Sequence, residues 1–458
     1  MIKDEQWPVA RLIPISAASG VEAQERRAAS ALLSVLSVVD EFGRALLKPL
    51  GAPSGKIETF IEIPFKIGGR SIRPDGIITV SRGGKTWGAI VEVKTGSNQL
   101  EAEQMDMYLD LARELDFDAV LSISNQYTTS SSEYPLAVDR RKTKKVRIHH
   151  WSWVQVLTES VVQKQHRGVK DPDQAYILNE LIRYLSDPRS GAVAFQDMGP
   201  AWTAVRDGAR GSTLRKGDPQ VEALAYRWDE LVRYLCLDLT KDLGRDVEQV
   251  LTAAERVASA RQQALKESLV EKGELYAEVR IPGAAGPLEI VANLRSRQII
   301  TSTRIEAPKE GKSRGRISWL VRQLPNAPEQ LKIEANVARS SASLAALLSD
   351  VRGNQTALQP EGGKEIRQFS LSVTKDMGLK RDAGQGSFIQ SVIGTAKSFY
   401  GDVLQNLRPW KAQAPKLVPQ PEEPVAREIA VDLPEQVIEG MKEAEREMED
   451  TIRGAPQT

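Results

Sequence analysis

The hydrophobic pattern changes period repeatedly in the first third of the chain. From Val21 to Leu47 apolar residues return every three or four positions, with Ala29, Leu32, Leu36 and Val39 on one face, which predicts a helix. Phe60 to Phe65, Ile72 to Val80 and Trp87 to Thr95 are short, apolar stretches that predict strands. Between the last two lies Ser81-Arg82-Gly83-Gly84-Lys85, a hairpin signal, because paired glycines tolerate the positive φ of a tight two-residue turn. A second helix is predicted over Gln99 to Leu115, with Leu100, Gln104, Met107/Tyr108, Leu111 and Leu115 along one face. Ala119 to Ser124 and Val146 to Trp151 complete the strands of this region, and Trp151 and Trp153 read as hydrophobic anchors.

Further along, Ala175 to Leu185 is helical and stops at Asp187-Pro188. Ser190 to Gly217 reads as a connector, and Pro219 to Glu271 as two or three long helices. The pattern then turns mixed. Strands are expected at Glu274 to Ile281, Leu288 to Leu294, Gln298 to Ile305, Leu331 to Val337 and Ile366 to Val373. Helices are expected at Ile317 to Leu324, Ser343 to Leu348 and Phe388 to Leu407. Pro415 to Pro424 is a proline-rich linker, followed by an acidic helix starting near Pro434 with Val437, Met441, Ala444, Met448 and Ile452 on one face. At 458 residues the chain exceeds one typical core. The expected divisions are 1–165, 166–273, 274–410 (an α+β region) and 411–458.

The hairpin carries the candidate chemistry. If Gly83-Gly84 form the turn, Arg82 faces Lys85, and the same register sets Asp75 opposite Glu92. Cross-strand neighbours have Cβ atoms roughly 4.5–5.5 Å apart. Lys94 shares the face of Glu92, while Ala89, Val91 and Val93 point the other way into the core. Two adjacent carboxylates repel unless a cation neutralises them. Mg²⁺ suits such a pair, taking one or two carboxylates and filling its other positions with water and phosphate oxygens, and Mn²⁺ is expected to substitute. The Val93 carbonyl could add an oxygen ligand. Lys94 would orient or help deprotonate a water and balance charge on a phosphorus centre.

Pro74-Asp75 followed by Glu92-Val93-Lys94 resembles the PD-(D/E)xK nuclease superfamily. Gln104 and Tyr108, four apart on the following helix, match the Q-x-x-x-Y element of its RecB-like and lambda-exonuclease-like branch. The resemblance spans residues 20 to 160 and implies an α/β, restriction-endonuclease-like mixed sheet flanked by helices. It further implies that Asp75, Glu92 and Lys94 are catalytic and that Gln104 and Tyr108 contact substrate phosphate and support the site. An acidic residue on the preceding helix is also implied as a metal ligand or water anchor. Glu25 is favoured, with Glu22, Glu41 and Glu62 as alternatives. The activity implied is metal-dependent hydrolysis of DNA, in repair or in defence against foreign DNA. A non-catalytic DNA-binding or sensor protein and an RNA-directed nuclease stand as alternatives.

Composition narrows this reading. The lone cysteine, Cys236, excludes a disulfide framework or a cysteine-rich zinc site. The three histidines, His149, His150 and His166, lack metal-ligand spacing on a helix. No apolar run approaches the roughly 20 residues needed to span a bilayer, and the start lacks an apolar signal core, so a cytoplasmic protein without membrane contact is expected. The net charge of +1 hides an asymmetry, since residues 421–450 hold 11 acids and 3 bases. The densest positive run, Arg140-Arg141-Lys142-Thr143-Lys144-Lys145-Val146-Arg147, is the candidate nucleic-acid contact through Arg140, Arg141, Lys142, Lys144 and Lys145, with Asn125-Gln126-Tyr127 a weaker one. Lys309, Lys312, Arg314 and Arg316 are a further possible phosphate rim. The acidic tail helix is a candidate protein-binding element, and its charge disfavours direct duplex binding.

Overall fold

In the computed structural model, residues 7–12, 20–67, 69–128, 134–139, 141–338, 340, 343–411 and 435–453 are described. The chain divides into two compact units, Met1–Lys411 and Ala412–Thr458. The first is a mixed α/β structure containing two main sheets. Its elements begin with α1 (Val21–Val38), α2 (Asp40–Leu47), β1 (Lys56–Ile61), β2 (Phe65–Ile67), β3 (Arg70–Ile72), β4 (Gly76–Arg82) and β5 (Lys85–Val93). They continue with α3 (Ala102–Glu114), β6 (Ala119–Ser124), β7 (Arg147–Ser152), α4 (Trp153–Val162) and α5 (Pro172–Ser186).

The first sheet has the order β1-β4-β5-β6-β7. β1, β4 and β5 are antiparallel neighbours, whereas β6 joins β5 and β7 joins β6 in parallel. The parallel step needs a crossover, and α3 supplies it between β5 and β6. Strand alternation then sorts the side chains. Ile78, Ala89, Val91, Val93, Leu121 and Ile123 pack with α1, α2, α4 and α5 on one face. Ile77, Ile90 and Val120 pack with Met105, Tyr108, Leu109 and Ala112 of α3 on the other.

Three elements of this half depart from the sequence pattern. The strand expected over Phe60 to Phe65 is interrupted, since β1 ends at Ile61 and Glu62, with a φ of 53°, turns the chain before β2 begins at Phe65. The helix expected over Val21 to Leu47 breaks at Val39, whose φ of −95° and ψ of 94° are extended. The short second helix turns back so closely that a Cβ on Gly43 would lie 2.2 Å from the Leu36 carbonyl oxygen. The strand expected over Ile72 to Val80 is also two pieces. β3 pairs with β2 in a separate ribbon, and only β4 joins the main sheet. Pro74 lacks the N–H that a ladder position needs, so Asp75 sits one residue before the strand.

The second half contains α6 (Trp202–Arg210), α7 (Pro219–Leu243), β8 (Glu248–Gln249), α8 (Ala258–Lys272), β9 (Glu274–Arg280), β10 (Leu288–Asn293) and β11 (Gln298–Glu306). α9 (Ser313–Val321), β12 (Lys332–Val337), β13 (Ser343–Leu347), α10 (Leu348–Gly353), β14 (Ile366–Asp376) and α11 (Phe388–Asp402) follow. The seven strands form one antiparallel sheet in the order β13-β12-β14-β11-β10-β9-β8. Its buried face meets α7, α8 and α11 in a core that includes Trp202, Trp228 and Phe388. Ser343 to Leu348, expected as a helix, is instead the edge strand β13 running into α10. The stretch expected as a plain connector holds α6, whose Trp202 is fully buried.

The second unit contains α12 (Glu435–Arg453), whose Met441 is 62% exposed. The proline-rich linker and Pro434 lie outside the described residues. Among the described residues, no helix is long and apolar enough to cross a membrane.

A buried ion network locks α7 to α8 and β9. Arg261, 3% exposed, donates to Asp229 Oδ1 (3.2 Å), Glu255 Oε1 (2.8 Å) and the Tyr276 carbonyl (2.7 Å). Arg261→Ala removes the cation shared by Glu255 and the fully buried Asp229, whose carboxylate keeps the Gln249 and Gln262 amides. It should destabilise the protein by about 3–5 kcal/mol in urea titration, because removing one partner of a buried ion pair costs more than the pair contributes.

Candidate active site

The candidate site forms where β5 leaves the sheet. The glycine turn has the required geometry, with φ of 55° at Gly83 and 77° at Gly84. Arg82 faces Lys85 and Gly76 faces Val91, the register expected from the sequence. Asp75, one residue outside β4, therefore reaches the end of β5, where its Oδ2 accepts the Val93 N–H at 2.7 Å.

Glu92 is the centre of the constellation and is 2% exposed. Its Oε1 accepts from Lys94 Nζ at 2.7 Å and from Gln104 Nε2 at 2.8 Å, and its Oε2 accepts the Tyr108 hydroxyl at 2.7 Å. Gln104 Nε2 also lies 3.1 Å from the Tyr108 hydroxyl. The helical spacing of four residues thus stacks an amide and a phenol over the carboxylate. Gln104 and Tyr108 are tied to Glu92 itself, with Tyr108 only 2% exposed. The main chain here is also fixed. Lys94 N–H donates to the Ile123 carbonyl at 2.8 Å, and the Trp153 indole donates to the Lys94 carbonyl at 2.8 Å.

Glu25 comes to the same end of the sheet from α1. Its Oε1 accepts the Thr95 N–H at 3.2 Å and the Asn98 amide at 2.8 Å, and its charge acts on both Asp75 and Lys94. Glu62 has an ion pair with Arg26 at 2.6 Å. Glu22 is exposed, and the carboxylate of Glu41 accepts the Lys170 N–H.

Electrostatics follow from this crowding. Burial, then the nearby Glu92 charge, holds the Asp75 carboxyl well above the usual carboxylate range, although the Val93 N–H works against the shift. For Lys94, burial works to lower the pKa, but Glu92, Glu25 and Asp75 prevail and raise it above the usual lysine value. Burial and Glu92 also raise the Tyr108 phenol, so it remains a neutral donor.

One row of residues crosses the sheet from Glu92, which faces Ser122, which in turn faces His150. Sequence reading missed this row, although Ser122 was legible as a polar interruption of an apolar strand. His150 Nε2 lies 2.9 Å from the Gln126 carbonyl, so that nitrogen carries the proton. Its Nδ1 then accepts from Ser122 Oγ at 2.9 Å. Burial pushes the imidazole down to about 4.

The basic run is less uniform than its sequence. Arg140 lies outside the described residues. Arg141 forms an ion pair with Asp139 at 2.8 Å, and Lys142 with Asp110 of α3 at 2.7 Å. Lys144 and Lys145 are exposed. The run thus divides into a pair that anchors the loop locally and a pair that faces solvent. Arg316, on the other possible rim, is buried against the Ile366 and Lys309 carbonyls.

Among the described residues, no group of three or more His, Cys, Asp or Glu side chains is gathered to hold a metal ion. Any ion here would rely on Asp75, Glu92 and main-chain oxygen. That donor set is all hard oxygen, and Asp75 Oδ1 makes no hydrogen bond among the described residues, so the residues present fit a small divalent cation. No protein-family model matches the chain, nor does any curated protein or solved structure.

Two groups give opposite pH signatures in thermal melts in EDTA. Asp75, with its pKa raised, stabilises fully only below the ordinary 3.8, and that contribution is lost as pH rises through the raised value. Asp75→Asn, which can still accept the Val93 N–H, should therefore raise the melting temperature at pH near 7. His150, with its pKa lowered, contributes fully above the ordinary 6.5, and up to about 3 kcal/mol is lost as pH falls toward 4. His150→Gln should flatten that acid-side slope.

Proposed function

We propose that this site belongs to a Mg²⁺-dependent nuclease of the PD-(D/E)xK type that hydrolyses DNA phosphodiester bonds, with repair or defence against foreign DNA as the setting by analogy. The observation that carries the reading is the convergence of Asp75, Glu92 and Lys94, with Asp75 on the Val93 N–H at 2.7 Å and Lys94 on Glu92 at 2.7 Å. Asp75, Glu92 and the Val93 carbonyl would hold the ion, with Mn²⁺ able to replace Mg²⁺. When bound, the ion supplies Lewis-acid polarisation of the phosphodiester and a more acidic water. The side chains do the rest. Lys94, with its raised pKa, stays an ammonium near neutral pH, which suits orienting water and offsetting negative charge better than taking up a proton. Gln104 and Tyr108 fix the Glu92 carboxylate, a supporting role rather than the direct phosphate contact implied by resemblance. Glu25 holds the turn at Thr95 and Asn98 behind the site. Lys144 and Lys145 remain available to phosphates, while Arg141 and Lys142 are tied to acids.

One observation favours a second reading. Glu92 is 2% exposed and already accepts three donors, as in a protein that keeps the arrangement for structure and binds nucleic acid without cutting it.

A digestion panel of linear, circular and single-stranded DNA, with RNA in parallel and Mg²⁺ or Mn²⁺ added, separates the two. Asp75→Ala and Lys94→Ala should each lower cleavage by about 10²–10³-fold without unfolding the protein. Asp75→Ala should also lose metal affinity, and Lys94→Ala should keep it. Tyr108→Phe, which leaves Glu92 Oε2 without its donor, should cost about 1–3 kcal/mol in stability as well as turnover. Undiminished cleavage by a folded Asp75→Ala protein would reject the site. Binding without any cleavage by the wild type would favour the second reading.

A further inference from the structure

We propose that the cleft opening beside Lys94 is a nucleobase subsite, so that an unpaired nucleotide next to the scissile phosphate is part of what this protein recognises. The proposal rests on the nuclease reading for the position of the phosphate. The cleft has a volume of about 840 Å³ and is walled on one side by Gly96–Gln99, which begins two residues after the site lysine. Its other wall comes from outside the first sheet, with Phe195, Tyr226 and Arg227. Two residues of extended chain span only about 7 Å, so a phosphate held at Lys94 places its own base within reach of this opening.

The chemistry of the walls favours a base over a phosphate. Arg227 is neutralised by Glu230 at 2.5 Å and donates to the Asp197 carbonyl, and the Asp197 side chain pairs with Arg381 at 3.1 Å. With these charges matched, what faces the cleft is the Arg227 guanidinium plane, seated on the buried Phe195 ring, and the Tyr226 ring. The Arg227 guanidinium stacks 4.2 Å over the Phe195 ring, and the Tyr226 ring stands 42% exposed at the rim. Aromatic and guanidinium planes stack bases without regard to sequence. The wall is also held in place. The Asn125 amide donates to the Gly96 and Gly191 carbonyls at 2.9 and 2.8 Å, and the Gly96 N–H donates to the Gly191 carbonyl at 2.9 Å. A preformed cleft of this size admits a single nucleotide and excludes a duplex.

The test compares binding of three fluorescent probes to the full chain in Ca²⁺ buffer: oligothymidylate, an abasic oligomer of equal length, and blunt duplex. Oligothymidylate should bind about tenfold more tightly than the abasic strand. That preference should vanish in Tyr226→Ala, which removes the stacking ring, and in Ala194→Trp, which fills the cleft from its exposed edge. Equal binding of the two single strands, or a preference that survives in both variants, would overturn the subsite. Mg²⁺-dependent hydrolysis of bis(p-nitrophenyl) phosphate, which carries no base, reports on the nuclease reading separately. Hydrolysis without base preference removes the subsite alone. Base preference without hydrolysis supports the subsite as a binding site and removes the nuclease reading.

Discussion

A carboxylate placed inside a sheet must find donors, and Glu92 imposes that demand on everything around it. A buried charge without partners costs several kcal/mol, so its neighbours cannot be arbitrary. Lys94 comes from the same strand face, two residues on, because side chains alternate. Gln104 and Tyr108 come from α3, which has to cross this face because β5 and β6 are parallel. The topology of the sheet and the solvation of one side chain thus require the same helix in the same place. Removing the helix would leave Lys94 as the one remaining donor of the three, and removing the carboxylate would leave the Gln104 amide and the Tyr108 phenol without their shared acceptor.

This part of the fold was legible because each inference used a rule with little freedom. Two glycines demanded a tight turn, the turn set the register, and the register joined Asp75 to the end of β5 across a gap that Pro74 opens. What Gln104 and Tyr108 do was less legible. Their spacing gives a shared helix face, but only the three-dimensional placement reveals that Glu92 is the group they meet. The Ser122–His150 row was hidden for a related reason. A parallel pairing between β6 and β7 has no hairpin turn to announce its register, so the contact crosses 28 residues with no local signal.

Elsewhere the local signal was outweighed. Ser343 to Leu347 is rich in small and aliphatic residues that favour a helix, yet β12 offers an unpaired strand edge and the ladder prevails. α6 was concealed by the glycines and charges around it, and it forms because Trp202 has a place in the core against Phe388, with ring centroids 4.4 Å apart. The basic run was legible as charge but not as function. Asp139 and Asp110 claim Arg141 and Lys142, and neither pairing follows from the run itself.

The unresolved tension in the site is its charge. Glu92 and Glu25 both act on Asp75 at the end of β5, and all three act on Lys94, while the nearby Arg26 is paired with Glu62. Asp75 contributes nothing to the fold that a neutral asparagine could not, since among the described residues its side chain's one hydrogen bond is to the Val93 N–H. Its ionised form is disfavoured by burial and by Glu92. A purely structural hairpin gains nothing from such a residue. A second positive charge at Asp75 and Glu92 would reverse the sign of the interaction, turning mutual repulsion into shared attraction to one ion. Together with Asp75 Oδ1, which makes no hydrogen bond among the described residues, that supports the proposed cation site.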